Sequence, residues 1–368
     1  MNDATSRRSV DVFARQLADY KSRIDADIEQ YSKELQKTTL QEFGVHSRVA
    51  FDAYLAILGR GGKRIRGALA IAGYEMAGGK NSEMILQAAR AVELIHAYLL
   101  VIDDINDRSP VRRSGSTAHL LLSEYYRSKN LGVDELHFGE SIAMNVSLVG
   151  GHIAQSIIAE LDVAPDLVVR AMGALNKSLA VTGFGQVNDV FNEVLGSEVD
   201  ERAVMNVLEW KTAHYTFLSP LQLGLILAGA SQSQIESIKP FALSAGLAFQ
   251  ITDDNLGVFG TEFESGKSTL DDIREGKRTL LTTYALEHGT DSEINFLMQM
   301  LGNGGLSQLE FERVKDILIE TGALKYAKQK AALHVSAAQE ALDSNAYFDH
   351  SQTRFLRSLS DFLLTRNT

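Results

Sequence analysis

Asp103 and Asp107 stand four residues apart in the run DDIND. On a helix that spacing puts both carboxylates on one face, within reach of shared cations. Asp104 points roughly 100° to one side. The run follows the apolar LLVI and falls where a helix is ending, so its carboxylates meet the unfavourable end of the helix dipole. A second cluster, Asp253 and Asp254 in LAFQITDDNLG, repeats the arrangement before a basic, glycine-containing loop. Either cluster alone reads as a solvated acidic helix end. Two of them, on helices able to face each other, read as oxygen ligands for several hard cations. Magnesium is favoured over calcium because nothing resembles a calcium loop, whereas nearby Lys and Arg suggest phosphate groups that magnesium shares.

Basic residues gather beside both clusters. GGKRIRG sets Lys63, Arg64 and Arg66 among glycines just before a predicted helix, a composition that suits an anion. Arg112 and Arg113 follow DDIND in a loop. His96 lies seven residues before Asp103, about two turns away on much the same face; a lone histidine there also reads as a satisfied core residue. Further on come Lys211 and Thr212 in EWKTAHYTF, then Lys267 and Lys277, the last flanked by Arg274 and Arg278. Each is an ordinary surface charge by itself. Gathered beside the acidic runs of a chain with 36 basic and 47 acidic residues, they fit magnesium–diphosphate complexes.

The elements that must position these residues are helices. The 368 residues are 45% apolar with only four prolines, and long stretches mix Ala, Leu, Ile, Glu, Gln and Lys. The expected fold is all-α, a single domain over 1–368, with an amino-terminal helix within residues 1–40 packing on the bundle. Helices are predicted from about Ser9 to Leu35, His46 to Leu58, Ile65 to Ala77 and Ser82 to Ile105. Others cover about Thr117 to Ser128, Phe138 to Leu161, Ala164 to Leu195, Glu201 to Ala230 and Gln232 to Asp254, and they resume from Thr279. RSPVRRSGST and GTEFESGKSTLDDIREGKR read as polar loops.

Composition also excludes. Without cysteine there is no disulfide, iron–sulfur cluster or thiolate zinc site. A net charge of −11 repels nucleic acid. Apolar stretches such as HAYLLVI and FLSPLQLGLILAGA fall short of about eighteen uninterrupted apolar residues. No apolar run follows the two amino-terminal arginines. A cytoplasmic protein without stable membrane insertion is expected.

In order and spacing, GGKRIR, ELIHAYLLVIDDINDRSPVRR, KTAHYTF, FQITDDNLG and GKSTLDDIREGKRT resemble the trans-isoprenyl diphosphate synthase family over roughly residues 45–340. The second half is most similar to bacterial geranylgeranyl diphosphate synthases. The resemblance implies an isoprenoid-synthase helical bundle with a central cavity, a homodimer, and condensation of an allylic diphosphate with isopentenyl diphosphate at three magnesium ions. By it, Asp103 and Asp107 ligate magnesium on the allylic diphosphate with Asp104 in support, and Asp253 ligates the third ion with Asp254 nearby. Arg112, Lys211, Lys267 and Lys277 clamp the allylic diphosphate; Lys63, Arg66, His96 and Arg113 bind isopentenyl diphosphate. Thr212 and Gln250 turn oxygen dipoles to the allylic cation, and Gln186 and Asp189 match a supporting motif. Gly257 stands where many relatives have a further Asp, so the third ion relies on Asp253, with Asp272 nearby.

Product length is expected to follow tunnel depth. Tyr98, five residues before Asp103, would block the tunnel from the same helix. Family members with an aromatic there commonly make geranylgeranyl diphosphate; Leu99 at the next position argues against farnesyl diphosphate, and longer polyprenyl products are the other alternative. A class I terpene cyclase would share the first aspartate motif but needs neither GGKRIR nor His96. A non-catalytic subunit typically loses aspartates that are kept here, and a purely structural helical protein has no reason to concentrate these charges.

Overall fold

The computed structural model describes residues 3–130, 132, 134–261 and 269–366. Its helices are α1 (Asp3–Gly59), α2 (Ile65–Met76), α3 (Ser82–Asn106), α4 (Ala118–Arg127), α5 (Glu135–Ala159), α6 (Pro165–Leu195) and α7 (Glu201–Val207). A π-helical segment, Leu208–Leu218, leads to α8 (Ser219–Leu227), α9 (Gln232–Ser237), α10 (Lys239–Phe259) and α11 (Asp271–Glu275). Last come α12 (Leu280–His288), α13 (Asp291–Met300), α14 (Gln308–Glu320), α15 (Ala323–Asp343) and α16 (Arg354–Arg366). The all-α expectation holds, with one addition. Within the loop after DDIND, β1 (Val111–Arg112) pairs antiparallel with β2 (Gly115–Ser116).

Local chemistry accounts for most boundaries. The Asn81 side chain accepts the Met84 N–H at the start of α3, and Thr279, Thr290 and Ser307 open α12, α13 and α14 with reciprocal capping boxes. Several expected boundaries move, and the helix expected from Gln232 to Asp254 is divided between α9 and α10. The two amino-terminal helices run together as α1, bent at Gly44, whose φ of 82° favours glycine. The helix expected from Glu201 to Ala230 changes to π-helical winding at Leu208. The helix carrying Asp253 continues past the expected stop at Asp254 to Phe259.

The chain divides into two compact units. The amino-terminal unit comprises Arg15–Gly173 and Leu223–Gly229. There α3 packs against α2 and α5, and α4 against α5. Tyr54 of α1 is fully buried, donates its hydroxyl to Leu94 O of α3 at 2.6 Å, and meets α5 at Gly150, where a Cβ would overlap its ring. Both α3 and α5 are long and apolar enough to cross a membrane by length and composition. The expectation concerned uninterrupted runs, and the two measures differ because isolated polar residues break a run without lowering the average below a membrane span's. Most of the apolar window of α3 is buried in the protein; less than half of that of α5 is. On α5, Met144, Leu148 and Val149 form an exposed apolar stripe.

The carboxy-terminal unit comprises Met1–Ala14, Ala174–Gln222 and Ala230–Thr368. Here α10 packs against α15 and the π-helical segment. Leu247, Ile251, Leu281, Phe311, Ile317 and Ala331 belong to its core. Phe13 from the start of α1 packs between Phe355 and Phe362, with ring centroids 5.3 and 4.9 Å away. The outer face of α6 exposes Phe184, Val187, Phe191 and Val194.

Gly150→Ala is expected to push the Tyr54 ring from its place and destabilise the protein by about 1–3 kcal/mol, as overpacking does. A fall in the urea midpoint at unchanged slope checks this.

Candidate active site

In the amino-terminal unit, α3 ends inside DDIND. Asp107 is the carboxy-terminal cap, and its N–H donates to Asp103 O at 2.8 Å, so the two residues lie one turn apart. Asp104, the member expected to point aside, is wholly buried (0% exposed). Its Oδ1 accepts Arg112 Nε at 2.7 Å, and Arg112 Nη2 also pairs with it while lying 3.6 Å from Asp103 Oδ2. Desolvation pushes the Asp104 carboxyl up to about 6 despite Arg112. These carboxylates at the negative end of α3 favour a cation there.

Arg112 is held by the β ribbon. Arg113 and Ser114 form its turn with φ of 51° and 60°, as a tight hairpin requires of both central residues. Arg60 fastens the ribbon, donating Nη1 to Arg112 O at 3.1 Å and to Ser116 O at 2.7 Å. Sequence reasoning missed Arg60, which has no motif to mark it.

The ribbon turns Arg113 towards His96. Arg113 Nη1 donates to Gly61 O, and its Nη2 lies 3.4 Å from His96 Nε2. Arg66 Nη1 lies 3.2 Å from the same nitrogen. Guanidinium nitrogens only donate, so His96 Nε2 is the acceptor and the ring is neutral. Burial, reinforced by Arg66, Arg113, Arg112 and Arg64, holds its pKa well below the ordinary value. Burial and the neighbouring cations lower Arg113 to about 10, which leaves it charged at neutral pH. The guanidinium leaves no room for a Cβ on Gly62, which would sit 2.7 Å from Nη2. Lys63 is exposed beside this cluster. Arg64 is not part of it: it is buried (4% exposed) and faces inward, against the expectation that all three basic residues of GGKRIRG form one anion site.

In the carboxy-terminal unit, Gln250, Asp253, Asp254 and Gly257 lie on α10. Gln250 donates Nε2 to Asp254 Oδ1 at 2.7 Å, turning its amide oxygen away from that carboxylate. Desolvation, then Asp272 and Asp253, push Asp254 up to about 8 against the opposing pull of Gln250 and Lys277. A Cβ on Gly257 would overlap Asp272 Oδ2, so the Asp272 carboxylate occupies the space that a side chain at 257 would take. Lys277 donates its N–H to Asp272 O at 3.0 Å, and its Nζ pairs with Glu275 at 2.9 Å. Arg274 donates to Leu306 O, and Arg278 is buried near Met298 Sδ. Neither side chain joins the carboxylates in these contacts. Lys267 lies outside the described residues.

Lys211 and buried Thr212 lie in the π-helical segment. Such winding recurs at functional sites. Asp189 of α6 accepts Lys211 Nζ at 2.6 Å, giving that acidic residue of GFGQVND a definite task. Gly185 lets α6 approach, since a Cβ there would sit 2.8 Å from Lys211 Cα; Gly246 does the same for α10, 2.6 Å from Ala213.

Among the described residues, no group of three or more His, Asp or Glu is arranged to hold a metal by itself. Magnesium needs only one or two carboxylates and completes its octahedron with water and substrate phosphate. The all-oxygen pair Asp103 and Asp107, beside a charge-paired Asp104, fits that chemistry.

Residues 48–318 match the polyprenyl synthetase family. A geranylgeranyl diphosphate synthase of Saccharolobus solfataricus is 31% identical over 307 residues, which cover 83% of this chain and 87% of that protein. A geranylfarnesyl diphosphate synthase of Aeropyrum pernix is 30% identical over 315 residues, 85% and 93% of the two. The crystal structure of a Corynebacterium glutamicum geranylgeranyl pyrophosphate synthase, complexed with isoprenyl diphosphate and magnesium, is similar with a TM-score of 0.88. It is 28% identical, and the match covers 94% of this chain and 98% of that one.

The raised Asp254 value sets a pH dependence. A folded chain that holds this proton more tightly than the unfolded one has the full contribution below 3.8 and loses it as pH rises through about 8. In metal-free protein, Asp254→Asn should melt with wild type at low pH, gain margin over it as pH rises from 3.8 to about 8, and keep a constant margin above that. Parallel melting curves at every pH would contradict the assignment.

Proposed function

Because the chain belongs to the polyprenyl synthetase family and is a trans-prenyl diphosphate synthase, we propose that it condenses an allylic diphosphate head to tail with isopentenyl diphosphate, making geranylgeranyl diphosphate. The observation that carries this reading is the coexistence, within one unit, of a carboxylate-bearing helix end and a separate cluster of Arg66, His96 and Arg113. A metal-bound diphosphate suits the first, and a second diphosphate suits the cations of the other. A cyclase, which takes one diphosphate, has no use for the second.

In this reading Asp103 and Asp107 hold magnesium on the allylic diphosphate, backed by Asp104. Asp253 holds a third ion, and Asp272 brings the carboxylate for which Gly257 leaves room. We read the whole chain as a single catalytic domain, with both acidic runs given to metal–diphosphate chemistry. Bound magnesium supplies charge neutralisation for the departing diphosphate. Lys211, steadied by Asp189, donates to that leaving group together with Arg112, Lys267 and Lys277. Lys63, Arg66, His96 and Arg113 hold isopentenyl diphosphate so that its alkene faces the allylic carbon.

The allylic C–O bond breaks with both electrons leaving on diphosphate. The π pair of isopentenyl diphosphate forms the new C–C bond, and a proton passes from it to the departed diphosphate, restoring an alkene. Thr212 and Gln250 direct oxygen dipoles at the transient cation. Water must be kept from that cation, which suits the apolar residues preceding both aspartate runs.

Tyr98 is half-buried with its ring 3.5 Å from a Cβ position on Gly151 of α5, and we assign that ring as the floor that limits product length. The exposed apolar stripes on α5 and on α6 support a homodimer. The acidic composition and the mostly buried α3 support a cytoplasmic enzyme without membrane insertion.

Purified protein supplied with magnesium, farnesyl diphosphate and radiolabelled isopentenyl diphosphate should yield a twenty-carbon product. Failure to extend any allylic primer would sink the enzyme reading. Tyr98→Ala should lengthen the product by one or more isoprene units; an unchanged product would remove Tyr98 as the floor. Lys211→Ala should lower kcat by on the order of a hundredfold, the usual loss of one donor to developing negative charge.

A further inference from the structure

The loop between α1 and α2 takes an unusual path. Gly61 and Gly62 have φ of 78° and 115°, and Arg64, which precedes α2, has φ 51° and ψ 33°. Left-handed backbone suits glycine, and an arginine keeps it only where its surroundings impose it. Here the side chain does so. Arg64 Nε donates to Asp25 Oδ1 of α1 at 2.7 Å, Nη1 to Glu93 Oε2 of α3 at 3.1 Å, and Nη2 to Leu58 O at 2.8 Å. The other oxygen of Glu93 accepts the Gly67 N–H at 2.9 Å, an amide in the first turn of α2 that has no partner within the helix. One buried carboxylate thus grips both the arginine and the helix start on either side of Arg66.

We propose that Glu93 and Asp25 are positioning residues for the isopentenyl diphosphate site: by drawing Arg64 inward they fix the backbone that carries Lys63 and Arg66 to His96 and Arg113. The inference rests on the function proposed above. Three basic residues in four positions would otherwise compete for one anion; turning the middle one into the fold leaves the outer two aimed at the ligand. Glu93 also balances charge, since a third guanidinium beside Arg66 and Arg113 without a carboxylate would be strongly repelled. Asp25 lies ahead of residue 48, where the family match begins, so the amino-terminal helix takes part in substrate recognition.

Asp25 is only partly buried and is also paired with Lys21, so Asp25→Ala removes a rim contact; Glu93→Gln removes the buried charge. With each variant checked for folding by its melting curve, steady-state rates are measured against each substrate separately. Both variants should raise KM for isopentenyl diphosphate on the order of fivefold, with kcat and the farnesyl diphosphate KM within about twofold of wild type, a loss typical of a charged hydrogen bond acting indirectly. Asp25→Asn, which keeps an acceptor for Nε–H, should recover part of the effect. An unchanged KM for isopentenyl diphosphate in a folded variant, or an equal rise for both substrates, overturns the proposal. If Glu93→Gln does not fold, Asp25→Ala decides alone. Wild type run alongside separates the two levels: no elongation by wild type overturns the functional reading and this inference with it, whereas normal elongation with an unselective Asp25→Ala overturns only the inference.

Discussion

At the end of α3 the Asp104 carboxylate is withdrawn from water and matched by the Arg112 guanidinium, and the site in the amino-terminal unit is built outward from that pair. Removing either partner would strand a buried charge, a loss of about 3–5 kcal/mol in comparable sites. Arg112 stands on β1, so the pair also docks the ribbon against α3. The ribbon's turn then delivers Arg113 to Gly61 and His96. Strain at Arg113 and Ser114 is tolerated because Arg60 ties down both strands' carbonyls. One ion pair thus separates two functions: Asp103 and Asp107 lie on one side of it, and guanidinium groups grouped around a neutral histidine on the other.

The carboxy-terminal unit handles its acidic charge differently. Asp254 accepts a hydrogen bond from Gln250, is crowded by Asp272 and Asp253, and is relieved by retaining a proton up to about 8. Such a site accepts a cation in place of that proton. Gly257 belongs to the same arrangement, because its missing side chain admits the Asp272 carboxylate from the neighbouring α11. Lys211 shows the converse, a cation steadied by one carboxylate at 2.6 Å on a helix wound wide enough to present it.

Much of this was legible in the sequence. The helical fold followed from composition and periodicity, and the four-residue spacing of Asp103 and Asp107 survives as one turn at the end of α3. The cluster of Arg66, His96 and Arg113 was marked by motif order. What stayed hidden depended on which way a side chain turns. Arg64 and Arg66 are two residues apart and chemically alike, and only the left-handed backbone at 64 sends one inward. Asp104 became the anchor because the ribbon brings Arg112 to it, and the π-helical winding at Lys211 accompanies close approach of Gly185 and Gly246 across tertiary contacts that no local pattern encodes. Glu93 left the clearest unread signal: a lone acidic residue in the apolar run AVELIHAY must have a buried partner.

The central claim is that the carboxylates receive an allylic diphosphate only as its magnesium complex. Calorimetric titration with farnesyl S-thiolodiphosphate, whose C–S bond resists ionisation, tests it directly. Tight binding is expected with magnesium, little without it, and loss of the magnesium-dependent part in both Asp103→Ala and Asp253→Ala. Equal affinity with and without magnesium, or retained affinity in those variants, would contradict the account.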